Sequence, residues 1–197
     1  KFRSRSGGRS TCYVLFTSGT TGKPKGVVLE HECVQSYLCA FLQTRPVPSR
    51  CRTILFASIT FDAHVEDLYP ALCRKGCLFV RAKYVLLEAL PKFVDMYWVN
   101  YLQCTPSELS LHPARSLSSL KLLLVASERL PESVLRTCSC AVPMFFNQYG
   151  PTEAAVDSTG VRCISGAAFA DSIGVPLFNF SADVVDTASH AMLVPAP

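Results

Sequence analysis

The sequence predicts an α/β fold: layered sheets with helices on both faces, a mostly parallel central sheet, and the beginning of a second sheet at the C-terminal end. Three observations carry this. Short apolar runs alternate with helix-length stretches, the pattern of βαβ units. The runs are apolar nearly throughout, as strands covered on both faces must be. Over 158–197 the pattern changes: Gly160, Gly166, Gly174 and several prolines enter, and short strands replace helices.

In chain order, the first strand is the run Cys12–Thr17, which closes onto a loop of glycines, hydroxyls and lysines. A helix follows over 31–43, opened by His31, and then an apolar strand, Thr53–Ala57. Helix 64–73 leads to strand Cys77–Arg81, and helix 85–96 to strand Trp98–Gln103. Helix 106–112 precedes the most apolar strand, Leu120–Ala126; helix 131–138 precedes strand Pro143–Asn147. A last short strand is expected at Ala182–Asp186. In such sheets ligands collect beyond the carboxyl ends of the strands, which singles out the loops after 12–17, 53–57, 120–126 and 143–147.

Composition narrows the function classes. With 197 residues, 49% apolar and 17% charged, the chain can bury a substantial core and is not intrinsically disordered. No uncharged apolar run reaches the 18 or so residues of a membrane span, and the stretch after the basic head is too short for a signal peptide. Lys1, Arg3, Arg5 and Arg9 account for the formal charge of +4, so the remainder is balanced and nucleic-acid binding has no support. The ten cysteines form no C-x-x-C pair and lie mostly in apolar segments, which points to a reduced, cytoplasmic chain. The absence of an initial Met and the bare C-terminal stretch read as a piece of a longer protein.

The loop Thr17, Ser18, Gly19, Thr20, Thr21, Gly22, Lys23, Pro24, Lys25, Gly26 carries phosphate chemistry. Its glycines permit close backbone approach, its hydroxyls donate, its lysines add charge, and successive N–H groups can form an anion nest. A strand is expected before it and a helix after it. The P-loop spacing is absent: Gly19 and Gly22 stand too close together, and Pro24 follows Lys23.

Thr17–Gly26 with Val27 resembles the phosphate-loop signature of the adenylate-forming superfamily, which includes acyl-CoA synthetases, luciferases and the adenylation domains of nonribosomal peptide synthetases. The segment Asn147, Gln148, Tyr149, Gly150, Pro151, Thr152, Glu153 resembles a second signature, and Phe61-Asp62 and Ile173–Pro176 two more. Phe61-Asp62 favours the amino-acid-activating branch. The resemblance implies that residues 11–197 are an incomplete N-terminal part of an adenylation domain that lacks its C-terminal lid domain, behind a basic disordered head at 1–10.

The resemblance also implies roles. Lys25, Thr152 and Glu153 would be catalytic, with Glu153 also an Mg²⁺ ligand. Thr17, Ser18, Gly19, Thr20, Thr21, Gly22, Lys23, Asn147, Gln148, Tyr149 and Gly150 would hold ATP. Asn147 suits an adenine edge and Tyr149 a base face. A plainer reading makes Thr152 a helix N-cap and Glu153 a first-turn acid. Asp62 would hold a substrate α-ammonium, or else cap the helix at 63–73. The side-chain pocket would be lined by Ala63, Glu66, Gln103, Leu124, Ala126, Gln148, Val156 and Asp157. His64 and Asp67 stand where the family commonly has serine and glutamate, and Ala126-Ser127 replace two glycines before Glu128. Two unpaired carboxylates, Glu66 and Asp157, in one cavity would favour a polar, even basic, substrate.

The implied reaction is ATP-dependent activation of a small carboxylate, foremost an amino acid, as acyl-adenylate with release of pyrophosphate. Transfer to a phosphopantetheine thiol on a carrier domain of a larger multidomain chain would follow. The alternatives are an acid–thiol ligase of the acyl-CoA synthetase type and a degenerate nucleotide-binding domain without turnover.

Overall fold

The computed structural model describes residues 7–18, 22–166, 171–189 and 191–194. Strand β1 (Thr11–Thr17) pairs antiparallel with β2 (Lys25–Glu30), placing Thr17 opposite Lys25. The phosphate loop is therefore the connection of a β-hairpin, and the helix expected directly after it is preceded by a strand. The run Val27-Val28-Leu29 has the β-branched, alternating character that a pleated surface selects: Val27 and Leu29 are buried, Val28 is exposed. Gly7–Ser10 form a turn, and their carbonyls accept from the first N–H groups of α1 (His31–Thr44): His31 N to Ser10 O at 3.1 Å and Glu32 N to Gly8 O at 2.8 Å.

Helix α1 buries Val34, Tyr37, Ala40 and Phe41, a single stripe at helical spacing. It ends where Pro46 forces the preceding residue out of the helical region; Arg45 is extended (φ −110°, ψ 131°). Strands β3 (Arg52–Ile54) and β4 (Cys77–Phe79) pair parallel across α2 (His64–Cys73), which keeps Pro70 inside it. A Cβ on Gly76 would fall 1.8 Å from Cys51 O, so this turn admits only glycine. Helix α3 (Lys83–Met96) is kinked at Ala89, two residues before Pro91, whose ring and missing N–H break the ladder there.

The central sheet holds β5 (Tyr101–Cys104), β6 (Leu122–Val125), β7 (Met144–Tyr149), β8 (Thr159–Arg162) and β9 (Val175–Pro176), in that order. The β5–β6 and β6–β7 pairs are parallel, linked through α4 (Pro106–Ser110) and α5 (Glu132–Ala141); β8 and β9 return antiparallel. The segment after 158 thus first extends the central sheet. Later in that segment β10 (Val184–Val185) and β11 (Met192–Val194) make a separate two-stranded sheet.

The sheet divides the core by strand alternation. Leu123, Val125 and Phe145 face α3 and α5, alongside Leu86, Leu90, Val134 and Leu135. Leu122, Leu124 and Phe146 face the other way, toward Tyr37, Phe41, Val27 and Leu29. Asn100 splices β3 to this sheet. Its Oδ1 accepts from Arg52 N at 2.8 Å, its own N–H donates to Arg52 O at 2.9 Å, and its carbonyl accepts from Leu122 N at 3.1 Å. The ten cysteines are unpaired, four of them buried. Among the described residues no helix is long and apolar enough to cross a membrane.

Asn100→Ala leaves the Arg52 N–H without its partner at a strand junction. It should lower stability by about 1–3 kcal/mol, the cost of an unsatisfied donor. A shift in the midpoint of chemical denaturation with an unchanged m-value checks this.

Candidate active site

Two adjoining clefts open beyond the carboxyl ends of β3, β5, β6 and β7. The first, of about 530 Å³, includes Asp62, Asn147, Gln148, Tyr149, Gly150 and Thr152 in its lining. The second, of about 570 Å³, includes Phe56, Ala63, Lys83, Gln103 and Glu108. Phe61, Ser127 and Glu128 belong to both and form the wall between them. This is where the sequence places ligands on such a sheet, and here Phe61-Asp62, the segment from Asn147 to Thr152, and Ile173 come together.

The exit from β7 shapes the first cleft. Pro151 starts a single 3₁₀ turn, Thr152–Ala154, with no side-chain cap. Thr152 and Glu153 are therefore not the cap and first-turn acid of a regular helix. The chain reverses through Ala155 and Val156, both at positive φ (60° and 82°), which is strained for a β-branched valine. The reversal is closed by Ser158 N donating to Tyr149 O at 2.9 Å. It brings Asp157 against Gly150, where an added Cβ would lie 2.3 Å from the Asp157 Cα. Tyr149 is left 50% exposed, its ring available to the cleft. Asn147 is buried and spends an amide hydrogen on Ser172 O at 3.0 Å, which ties the strand end to the segment before β9.

Asp62 sits on the bend before α2. The helix N-cap is Ala63, and no side chain caps it, so the Asp62 carboxylate is not spent on the helix. Burial raises its pKa, opposed first by the nearby Thr152 side chain. Its Oδ2 has no partner among the described residues. Gln103 is likewise buried with an unpartnered Oε1, facing the second cleft. Asp67 stands behind this region and holds the strand exit: its Oδ2 accepts from Phe56 N and Ala57 N, each at 2.8 Å.

The expected pocket residues do not share one open cavity. Ala63 and Gln103 line the second cleft and Gln148 the first. Leu124 and Val156 are packed in the core beside Tyr37 and Phe146, and Ala126 is buried at the end of β6. Ser127 takes a left-handed conformation (φ 71°), the backbone state that glycine adopts most easily. The expectation of two unpaired carboxylates is corrected. Glu66 (0% exposed) accepts from the Tyr37 hydroxyl and from Gln148 Nε2, the latter at 3.0 Å. Asp157 (4% exposed) accepts from the same Nε2 at 2.8 Å. Gln148 Oε1 in turn accepts from Arg45 Nε at 2.8 Å.

Arg45 is the residue that sequence reading missed. It is 5% exposed, its guanidinium 4.5 Å from the centroid of the Phe146 ring, and it supplies the cation that the two acids require. Burial pushes Asp157 well above the usual carboxylate range, with the Glu66 and Asp62 charges adding to the rise. Burial raises Glu66 as well, opposed by Tyr37, Gln148 and Arg45.

In the phosphate loop, Gly19, Thr20 and Thr21 lie outside the described residues. Ser18, Lys23 and Lys25 are exposed, Thr17 is partly buried, and Gly22 has positive φ (78°). Glu153 is exposed on its turn, and no group of three or more metal-ligating side chains occurs among the described residues.

A sheet covered on both faces, with clefts at its carboxyl edge, matches the N-terminal architecture of the adenylate-forming enzymes. The chain belongs to the AMP-binding enzyme family, whose model matches residues 3–195. It is 33% identical over 96% of its length to AM-toxin synthetase AMT1 of Alternaria alternata. It is also 31% identical, over 99% of its length, to the nonribosomal peptide synthetase TES of the same organism. It spans 4% of each of those proteins. In fold it is similar to the N-terminal domain of FACL13 from Mycobacterium tuberculosis (TM-score 0.83, 20% identity, 96% of this chain and 49% of that one). It is similar too to the Vibrio cholerae adenylation domain AlmE, solved with glycyl-adenosine-5'-phosphate (TM-score 0.75, 24% identity, 83% and 32%).

A folded-state pKa above the ordinary carboxylate value has a defined linkage sign. The Asp157 contribution to stability is fully present below that ordinary value and is lost as pH rises through the higher folded value. Asp157→Asn is permanently neutral and keeps the same hydrogen-bonding shape. As pH rises from about 4 toward that higher folded value, the variant should therefore gain stability relative to wild type. Asp67, also raised, is common to both proteins and cancels. Paired denaturation curves check this; a pH-independent difference would show Asp157 ionised in the fold.

Proposed function

We propose that residues 11–197 supply the nucleotide and substrate cradle of an amino-acid-activating domain within a longer, cytoplasmic, multidomain chain. The observation that carries this is the meeting of Asp62 and Thr152 in one cleft. A half-buried carboxylate with an unpartnered oxygen shares that cleft with the hydroxyl-bearing turn beside Tyr149, whose ring is half exposed.

In this reading Asp62 accepts hydrogen bonds from the substrate's α-ammonium, and the half-exposed Tyr149 ring stacks on adenine. That stacking contributes about 1–3 kcal/mol. The substrate carboxylate attacks the α-phosphorus of ATP, pyrophosphate leaves, and an acyl-adenylate remains. Thr152 donates its hydroxyl to the α-phosphate, while Lys25 and the N–H groups of the phosphate loop draw charge from the leaving pyrophosphate. The donor set fits magnesium held mainly by phosphate oxygens, since Glu153 is the one carboxylate on its turn and Mg²⁺ is commonly bound by one or two carboxylates plus phosphates. The ion would offset charge on the phosphates. The acyl group then passes to the thiol of a carrier-bound phosphopantetheine, with AMP as the leaving group. Catalysis by these residues is positioning and charge stabilisation; none is a covalent nucleophile.

The test is amino-acid-dependent ATP–pyrophosphate exchange by the intact parent chain. Asp62→Asn should raise the KM for the amino acid about 10- to 150-fold, the equivalent of losing a charge-assisted bond of about 1.5–3 kcal/mol, with little change in the KM for ATP. Glu153→Gln should lower turnover and raise the magnesium concentration needed for half-maximal rate. An Asp62→Asn enzyme with unaltered amino-acid KM would refute the ammonium role. Exchange driven equally well by carboxylates that lack an amine would move the protein to the acid–thiol ligase class.

A further inference from the structure

We propose that Arg45 is a specificity-determining residue: a resident cation at the acidic end of the substrate side-chain subsite, which makes the domain select an uncharged side chain over a cationic one. The inference rests on the adenylation reading above and reverses the sequence-based expectation of a basic substrate.

Gln148 stands in the wall of the cleft that holds Asp62, and its carboxamide points away from the opening into the protein. Both ends of that amide are occupied. Nε2 donates to Glu66 at 3.0 Å and to Asp157 at 2.8 Å, and Oε1 accepts from Arg45 Nε at 2.8 Å. Glu66 also accepts from Tyr37. The two acids that would attract a substrate ammonium or guanidinium are therefore already engaged.

Arg45 is held in place from three sides. Pro46 fixes its backbone at the end of α1, its guanidinium lies over Phe146, and its Nη2 occupies the space above Gly160, where a Cβ would approach to 2.1 Å. Phe146 and Gln148 are alternate residues of β7, so Arg45 lies along one face of the strand that leads into the cleft. A cationic side chain entering past Gln148 would find both acids already engaged and their countercharge already supplied by Arg45, so it would bring an uncompensated positive charge into a buried site that water screens little. An uncharged side chain brings no such charge.

The experiment measures ATP–pyrophosphate exchange, and competition against the preferred substrate, in the intact parent chain. It uses matched pairs: arginine against citrulline, and lysine against glutamine. Wild type should favour the uncharged member of each pair by at least tenfold. Arg45→Met vacates the cation's position and should shift each ratio at least tenfold toward the cationic member. Arg45→Gln, which removes the charge but keeps a donor for Gln148, should shift it in the same direction and serves where the methionine variant fails to fold. A wild-type preference for arginine or lysine overturns the proposal, as do folded Arg45 variants that keep the wild-type ratios. Absence of exchange with every amino acid and every free carboxylate is a different result; it overturns the adenylation reading itself.

Discussion

The carboxamide of Gln148 is the interaction on which the rest of the site depends. It joins a guanidinium from the end of α1, a carboxylate from α2 and a carboxyl from the turn after β7. Any one of these groups buried alone would cost several kcal/mol, and removing one partner of such a set leaves the others uncompensated. Only an amide presents an acceptor to the cation and two donors to the acids from a single side chain. That requirement fixes where the three elements sit relative to β7. It also accounts for local choices around them: glycine at 150, where the returning chain passes, and glycine at 160, beneath the guanidinium.

Strand β7 converts this constraint into a cleft. Phe145 packs toward α3 and α5 while Phe146 packs toward α1, and the alternation continues past the core. Asn147 is tied to Ser172 and Gln148 to the charged cluster, while Tyr149 emerges half exposed. A strand anchored at consecutive positions on opposite faces has little freedom to twist. The turn that follows, strained at Val156, then places Thr152 in the cleft that holds Asp62. Rigid placement of donors is what a reaction catalysed by charge stabilisation requires.

Much of this was legible in the sequence. The apolar runs located every strand of the parallel core, and α2 fell at the residues expected, 64–73, despite its internal proline. Asp62 and the segment from Asn147 to Thr152 met at one edge because parallel strands put their carboxyl ends together. Strand β2 was not legible, because a glycine-rich phosphate loop is ordinarily followed by a helix. Only the alternating burial of Val27, Val28 and Leu29 identifies a hairpin. Nor was the charged cluster. Glu66 and Gln148 stand 82 residues apart, and Arg45 and Gln148 stand 103 apart, so no local pattern links them. Arg45 is one basic residue between an apolar helix and a proline, a position that reads as an exposed helix end. The one available hint was energetic: two acids in one pocket need a cation, and here the chain itself supplies it where a basic substrate was expected to.

The most direct measurement of this account is the stability of Gln148→Met, which keeps the volume of the side chain and removes both its donor and its acceptor. With Arg45, Glu66 and Asp157 left to one another, the variant should lose about 3–5 kcal/mol in chemical denaturation, the loss expected for breaking a buried ionic set. A loss below about 0.5 kcal/mol, within the range of an ordinary surface substitution, would mean that the cluster does not hold the cleft together and would contradict the account.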